Sequence, residues 1–182
     1  AGLEYNHYSF NPGFKFNTST TYEIDINIDT TYNISEIKNT EYVFHVSDEL
    51  LINKQLKLKA GGRLTYYASD NKNYVYFDPR ISLSYKPNNR FGFNVSYNRT
   101  HQYIHLLSKS QISQANDLWL PCSKNLKPQA ASQYSLSIEY SPNPNYYFSI
   151  SPYYKNMDNL IEYSDGASYL QSFNSWDEIT EQ

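Results

Sequence analysis

"LKLKAGGRLTYY", residues 56–67, alternates between two kinds of side chain. Its even positions carry Leu, Ala, Gly and Tyr, whereas Lys57, Lys59 and Arg63 share the odd positions with Gly and Thr. Because successive side chains of a β-strand point to opposite faces, this period of two predicts a strand with one apolar and one polar face.

The same alternation returns in "PRISLSYK" (79–86), "FGFNVSYNR" (91–99) and "QYSLSIEY" (133–140). We find no convincing segment of helical period longer than two turns. The pattern predicts an all-β chain of about seven antiparallel strands. They lie near residues 2–11, 40–51, 55–67, 74–86, 90–103, 132–141 and 146–157.

Composition narrows the class of protein. Of 182 residues, 18% are charged and 17% aromatic, with 20 Tyr, yet the mean hydropathy is −0.70. No run approaches the roughly 18 apolar residues of a spanning helix. A net charge of −3 with scattered Lys and Arg argues against nucleic-acid binding. Such a composition suits β-structure with one apolar and one wet face.

Short and long connections alternate along the chain. The short ones, 52–55, 86–90 and 141–145, are rich in Pro and Asn and predict tight turns. The others are 12–39, 68–73, 102–131 and the segment after 162, so we predict that short and long connections alternate strictly. Outer-membrane barrels have this arrangement, with short periplasmic turns and long outer loops. Strands of about ten residues also match a tilted bilayer crossing.

Aromatic residues near the predicted strand ends fit the same interpretation, because Tyr prefers the membrane–water boundary. They are Tyr66, Tyr67, Tyr85, Tyr97, Tyr103, Tyr140 and Tyr146. In a barrel, the apolar face of each strand would contact lipid. The predicted lipid-facing residues are Leu56, Leu58, Leu64, Ile81, Leu83, Phe93, Val95, Leu136 and Ile138. The alternative at this point is a Tyr-rich soluble β-sheet with a packed core.

Several distinctive strings resemble the barrel of a TonB-dependent outer-membrane receptor. The resemblance runs from about residue 40 to the end, with a weaker match over 1–12. It rests on "LKLKAGGRLTYY", "DPRISLSYK", "SYNRTHQYIHLLS", "DLWLPCSKNLKPQAASQYSLSIEY", "YYKNMDNLIEY" and "SWDEITEQ", in the order and spacing of that family. The sequence departs from the family pattern at Cys122 and Ala130.

The resemblance implies a segment of an antiparallel transmembrane β-barrel of about 22 strands that encloses a plug. It implies the bacterial outer membrane, import of a scarce ligand with TonB-transmitted energy, and no enzymatic activity. The implied partners are membrane lipid and lipopolysaccharide, the TonB system acting through a plug, and a surface lipoprotein. We expect residues 1–182 to be a barrel fragment that lacks plug, signal peptide and closing strands.

The long connection holds the candidate ligand-binding residues, which are Trp119, Asp117, Tyr103 and His105. An indole in a polar loop can stack on a ligand. It can instead pin the loop to the barrel rim, which we favour because the surrounding motif recurs in receptors with unlike ligands.

Other chemistry is weakly supported. His101 and His105 on one strand would lie roughly 13 Å apart, too far for one metal ion. Cys122 as a nucleophile would need a lowered pKa and an adjacent base, so a packing role is favoured. We expect no catalytic residues, no metal and no cofactor. Scattered carboxylates are interpreted as solvated or lumen-facing charges: Asp117, Glu139, Asp158, Glu162, Asp165, Asp177 and Glu178.

Two alternatives to the transporter stay open. The chain could belong to a scaffolding barrel in an envelope assembly that no longer transports. It could also be a soluble β-sandwich or carbohydrate-binding module that uses its Tyr rings.

Overall fold

A computed structural model describes residues 1–10, 13–17, 29–33, 36–69, 72–107, 118–163 and 180–181. These residues contain only β-strands as regular structure, so no helix among them could cross a membrane. The strands are β1 (Gly2–Phe10), β2 (Gly13–Asn17), β3 (Asp29–Asn33), β4 (Ile37–Leu51), β5 (Leu56–Ser69), β6 (Asn73–Tyr85), β7 (Phe91–Gln102), β8 (Ile104–Leu107), β9 (Leu118–Pro121), β10 (Gln129–Asn143), β11 (Tyr146–Ile150), β12 (Tyr153–Asp158), β13 (Glu162–Tyr163) and β14 (Thr180–Glu181).

One antiparallel sheet dominates the described chain. Its order is β1-β4-β5-β6-β7-β10-β11, and β12 pairs with the other half of β10. The predicted all-β antiparallel fold is therefore confirmed, and each of the seven predicted strands has a counterpart. The seventh is split into β11 and β12 at Ser151–Pro152. Proline has no N–H to give to a ladder, although the Pro152 carbonyl still accepts from the Leu136 amide at 3.0 Å.

The predicted turns owe their shape to asparagine side chains. Asn53 Oδ1 accepts from the amides of Gln55 and Leu56 at 2.8 and 2.9 Å. Asn88 Oδ1 accepts in the same way from Arg90 and Phe91. An Asx side chain that bonds to the backbone two or three residues later replaces the missing strand pairing and reverses the chain.

The long connections contain short structures of their own. The hairpins β2–β3, β8–β9 and β13–β14 each form a separate two-stranded sheet. At the same end of the main sheet, β5 and β6 are joined by residues 70–72 alone. The predicted strict alternation of short and long connections is therefore wrong at this one place.

The two faces of the main sheet differ as the alternation predicts. All nine residues predicted to face lipid lie on one face, because Leu58, Leu83, Val95 and Leu136 are consecutive ladder partners. Seven of them are among the exposed large hydrophobic residues, while Leu56 and Leu58 are half-buried. Such a wide exposed apolar surface indicates contact with lipid or protein rather than water.

Aromatic rings bound this apolar face at both ends of the strands. Near the short turns, the ring centroids of Phe91 and Tyr140 lie 4.7 Å apart. Toward the long connections, the ring centroids of Tyr42 and Tyr66 lie 6.2 Å apart. Tyr67 does not share this arrangement, nor does Tyr103. Both are buried and stack at 4.9 Å, so burial and not a boundary explains them.

The opposite face is polar and internally paired. Arg63 Nη2 donates to Glu41 Oε1 at 2.9 Å, and the Tyr8 hydroxyl donates to Glu41 Oε2 at 3.0 Å. Further along the face, the hydroxyls of Ser82 and Ser84 donate to Asn94 Oδ1 at 2.8 and 2.9 Å. Since buried and half-buried polar groups need partners, this network allows the face to carry charge.

Candidate functional site

The β8–β9 hairpin carries the residues that the sequence marks as ligand-binding candidates. Its strands pair Leu106 with Trp119 and His105 with Leu120. The indole of Trp119 is 54% exposed and Leu106 beside it is 42% exposed, whereas His105 and Leu120 are buried. The hairpin therefore presents one apolar pair outward and packs its other face inward.

Residues other than Trp119 make the contacts that hold this hairpin on the main sheet. The Tyr74 hydroxyl donates to the Ser123 carbonyl at 2.6 Å, and the Cys122 amide donates to the Tyr103 carbonyl at 2.9 Å. Cys122 packs in one buried cluster with Tyr67, Tyr74 and Tyr103. Buried neighbours therefore anchor the hairpin and leave the indole accessible among the described residues, and the favoured role of Trp119 in pinning the loop stays a prediction.

His105 and Cys122 meet inside this packing. His105 Nε2 lies 3.1 Å from Cys122 Sγ, and both side chains have no exposed surface. Burial lowers the pKa of His105 to about 4 and raises the pKa of the Cys122 thiol. A neutral imidazole beside a neutral thiol is a packed hydrogen-bonding pair, since nucleophilic attack requires the thiolate.

His101 belongs to a different environment. Its Nδ1 lies 2.5 Å from Asp78 Oδ1, and its ring stacks on Tyr76 with centroids 4.0 Å apart. The two histidines therefore have separate partners. Within the described ranges, no group of three His, Cys, Asp or Glu residues is arranged to hold a metal ion.

A concavity of about 710 Å³ lies against the polar face of β4 to β7. Its polar lining includes Glu49, Lys59, Arg63, Arg80 and Asn98. Glu49 pairs with Lys59 at 3.0 Å and Arg63 with Glu41 at 2.9 Å. The polar face can thus solvate or bind a polar solute.

The ladder register allows the tilt of the strands to be calculated from the positions of the short turns. The ladder through Leu56, at the start of β5, passes through Tyr85 and Phe93 and reaches β10 at Ile138. β10 continues to Asn143 before its turn. The offset from Ile138 to Asn143 is five residues, across the three strand spacings from β5 to β10. If the turn before Leu56 and the turn after Asn143 lie at the same depth in the membrane, this offset corresponds to a strand tilt of roughly 45°. An apolar face bounded by aromatic rings opposite a polar concave face is the pattern of outer-membrane β-barrel strands.

The family model of the "TonB dependent receptor-like, beta-barrel" matches residues 1–180. The chain belongs to this family of β-barrel domains. No curated protein and no solved structure matches it. The family consists of receptors and transporters of the bacterial outer membrane, not enzymes, that interact with the TonB system and the membrane.

The structure divides the four candidate ligand-binding residues. Trp119 is accessible, Tyr103 and His105 are buried, and Asp117 lies outside the described residues. Sequence reasoning did not identify Tyr74 and Ser123 as anchors of the hairpin. The apolar strings "IHLL" and "LWLP" were a usable signal, since two short apolar runs flanking a polar segment favour a hairpin.

Proposed function

We propose that this chain forms part of the wall and outer surface of a receptor that imports a scarce ligand with TonB-transmitted energy. The observation that supports this most strongly is the family match over 1–180 on a sheet with one apolar and one polar face. A sheet that leaves most of its apolar face exposed does not resemble a β-sandwich, whose apolar faces pack against each other.

In this proposal residues 1–182 form one sector of a larger closed barrel. β1 and the pair β11 and β12 are edge strands of the described sheet. Unpaired backbone groups cannot remain in lipid, so further strands would pair with both edges. The nine apolar residues from Leu56 to Ile138 would face lipid, and the polar face would line the lumen.

Ligand capture is proposed for the hairpin β8–β9. Trp119 and Leu106 form an accessible apolar pair on an anchored strand pair, and aromatic anchors contribute much of the affinity at recognition surfaces. Asp117 precedes this strand and would add a polar contact. Tyr103 and His105 would act on the ligand by setting the position of the hairpin, or directly if the hairpin lifts.

Growth tests can decide the function. Strains lacking this receptor, or lacking TonB, should show the same growth defect on one ligand supplied as a limiting nutrient. Trp119→Ala should weaken uptake of that ligand about tenfold, by analogy with aromatic hot spots, while Tyr146→Ala, beside the opposite turn, should leave uptake unchanged. Growth that is independent of TonB on every ligand would contradict the proposal and favour the scaffolding alternative.

Lipopolysaccharide at the outer rim and a surface lipoprotein over the loops complete the proposed set of partners. Purification from mild detergent followed by mass spectrometry would detect both. A receptor recovered free of lipoprotein would remove that partner and leave the importer itself intact.

A further inference from the structure

The concavity on the polar face holds a cation that lacks an ion pair. Arg80 lines it and is exposed, and no carboxylate among the described residues lies within ion-pair distance of its guanidinium. The other Lys and Arg side chains there are paired. These pairs are Lys59 with Glu49 at 3.0 Å and Arg63 with Glu41 at 2.9 Å.

Ladder pairing places a second such cation in line with Arg80. The row through Arg80 continues to Asn98, Gln133 and finally Lys155 on β12. Lys155 is also exposed and has no ion pair within the part of the chain that the structure describes. With strands about 4.8 Å apart, the two Cα atoms are roughly 14 Å apart, so both long side chains can reach one solute between them.

The surroundings of Arg80 leave room for a ligand. Its ladder partner Gly61 has no side chain, and the open space beside Arg80 is the concavity itself. Ser96 and Asn98, which also line the concavity, have a hydroxyl and a carboxamide that can donate hydrogen bonds to an anion.

The charge along the row of Arg80 favours an anion. The carboxylates that line the concavity lie on the side of β1 and β4: Glu4 is beside His45, Glu49 is paired with Lys59, and Asp48 follows on β4. On the polar face of β6, β7, β10 and β12, the described carboxylates are Asp78 and Glu139. Asp78 is bound to His101, and Glu139 lies near the opposite turn, beside Gly92. The row of Arg80, Asn98, Gln133 and Lys155 combines two cations with neutral hydrogen-bond donors. A concave surface concentrates the positive potential of such cations.

We propose that this row binds an anionic solute with at least two carboxylate or phosphate groups, one held by Arg80 and one by Lys155. A guanidinium binds either group through two parallel hydrogen bonds, and an ammonium acts as a point charge. The inference deepens the proposed function, because it rests on the polar face lining the passage of the ligand.

The test measures binding to the intact receptor purified in detergent, with citrate and pyrophosphate as probes and glycerol as the neutral comparison. Isothermal titration calorimetry at low salt should show binding of at least one anion and none of glycerol. In the double variant Arg80→Gln, Lys155→Gln the affinity should fall about tenfold or more. Lys57→Gln, which removes a paired cation of the polar face outside the concavity, should change it less than about twofold.

Three results would overturn the proposal. They are absence of binding of both anions to the wild-type receptor, an equal loss of affinity in Lys57→Gln, and an affinity unchanged between about 20 mM and about 200 mM NaCl. If the double variant fails to assemble, the single variants Arg80→Gln and Lys155→Gln carry the same test. If neither anion binds and Arg80→Gln has a lower Tm than the wild type, Arg80 forms a stabilising ion pair with an acidic group of the receptor itself. Binding in detergent needs no TonB. The calorimetry therefore tests anion binding alone, and the growth tests separately test TonB-dependent import.

Discussion

At the scale of single residues, two adjacent glycines show how the faces differ. Gly61 lies on the polar face, where an added Cβ would come within 2.8 Å of both the Ser47 Cβ and the Val46 carbonyl oxygen. At Gly62, on the apolar face, it would meet the ring of Phe77. The Phe77 ring is exposed and can turn aside, whereas backbone atoms cannot.

We therefore expect Gly61→Ala to destabilise the barrel by about 1–3 kcal/mol, the usual cost of overpacking. Gly62→Ala should cost less than about 1 kcal/mol, since only a side chain must move. Urea-induced unfolding of the two variants in detergent micelles measures the difference. Equal losses of stability would show that the backbone spacing between β4 and β5 differs from the one described.

A charge should be tolerated on one face only. Leu83→Arg should weaken assembly by roughly 2–4 kcal/mol if the residue lies near the middle of the bilayer. Ser82→Arg, one residue away on the polar face, is the matched control and should be much milder. Heat-modifiable gel mobility reports the assembled fraction of each variant. Similar losses at both positions would mean that both faces meet the same solvent.

At the scale of elements, the β8–β9 hairpin should loosen in acid. The pKa of His105 is lowered from 6.5 to about 4 while the hairpin is packed, so the opened hairpin binds a proton more readily between these values. Closure is therefore fully stable above about pH 6.5 and weakens as the pH falls toward 4. The loss can reach about 3 kcal/mol.

Hydrogen exchange measures this opening directly. Peptides that cover β8 and β9 should exchange faster at pH 5 than at pH 7, after correction for intrinsic rates, while peptides from β5 should not. His105→Gln keeps a polar group but does not titrate, so it should remove the pH dependence. A wild-type hairpin equally protected at both values would contradict the packed, neutral histidine.

The main strands were predictable from sequence because their signal is local. In "LKLKAGGRLTYY" even and odd positions lie on opposite faces of the strand, and Asn53 and Asn88 indicate the turns. The anchoring of the β8–β9 hairpin on the main sheet was not predictable, because it depends on contacts between residues far apart in sequence. The Tyr74 hydroxyl meets Ser123 across 49 residues. The alternation places Tyr67 on the polar face, opposite Tyr66, but it does not show that Tyr67 is buried there.

At the scale of the whole molecule, the described sheet leaves two kinds of surface uncovered. Its edge strands, β1 and the pair β11 and β12, have unpaired sides, and its apolar face is exposed along its length. Both features favour association. The 182-residue chain produced alone should therefore aggregate or require detergent. A monodisperse, detergent-free monomer in size-exclusion chromatography would contradict this expectation.

The central claim is that the apolar face meets lipid and the polar face does not. Replacing the lone Cys122 by Ala allows single cysteines to be introduced at Leu83 and, next to it, at Ser82. A fluorophore at position 83 of the receptor in liposomes should be quenched by nitroxide-labelled lipid, and one at 82 should be quenched by a water-soluble nitroxide or shielded from both. Equal quenching of both positions by the lipid probe, or the reverse preference, would contradict the account.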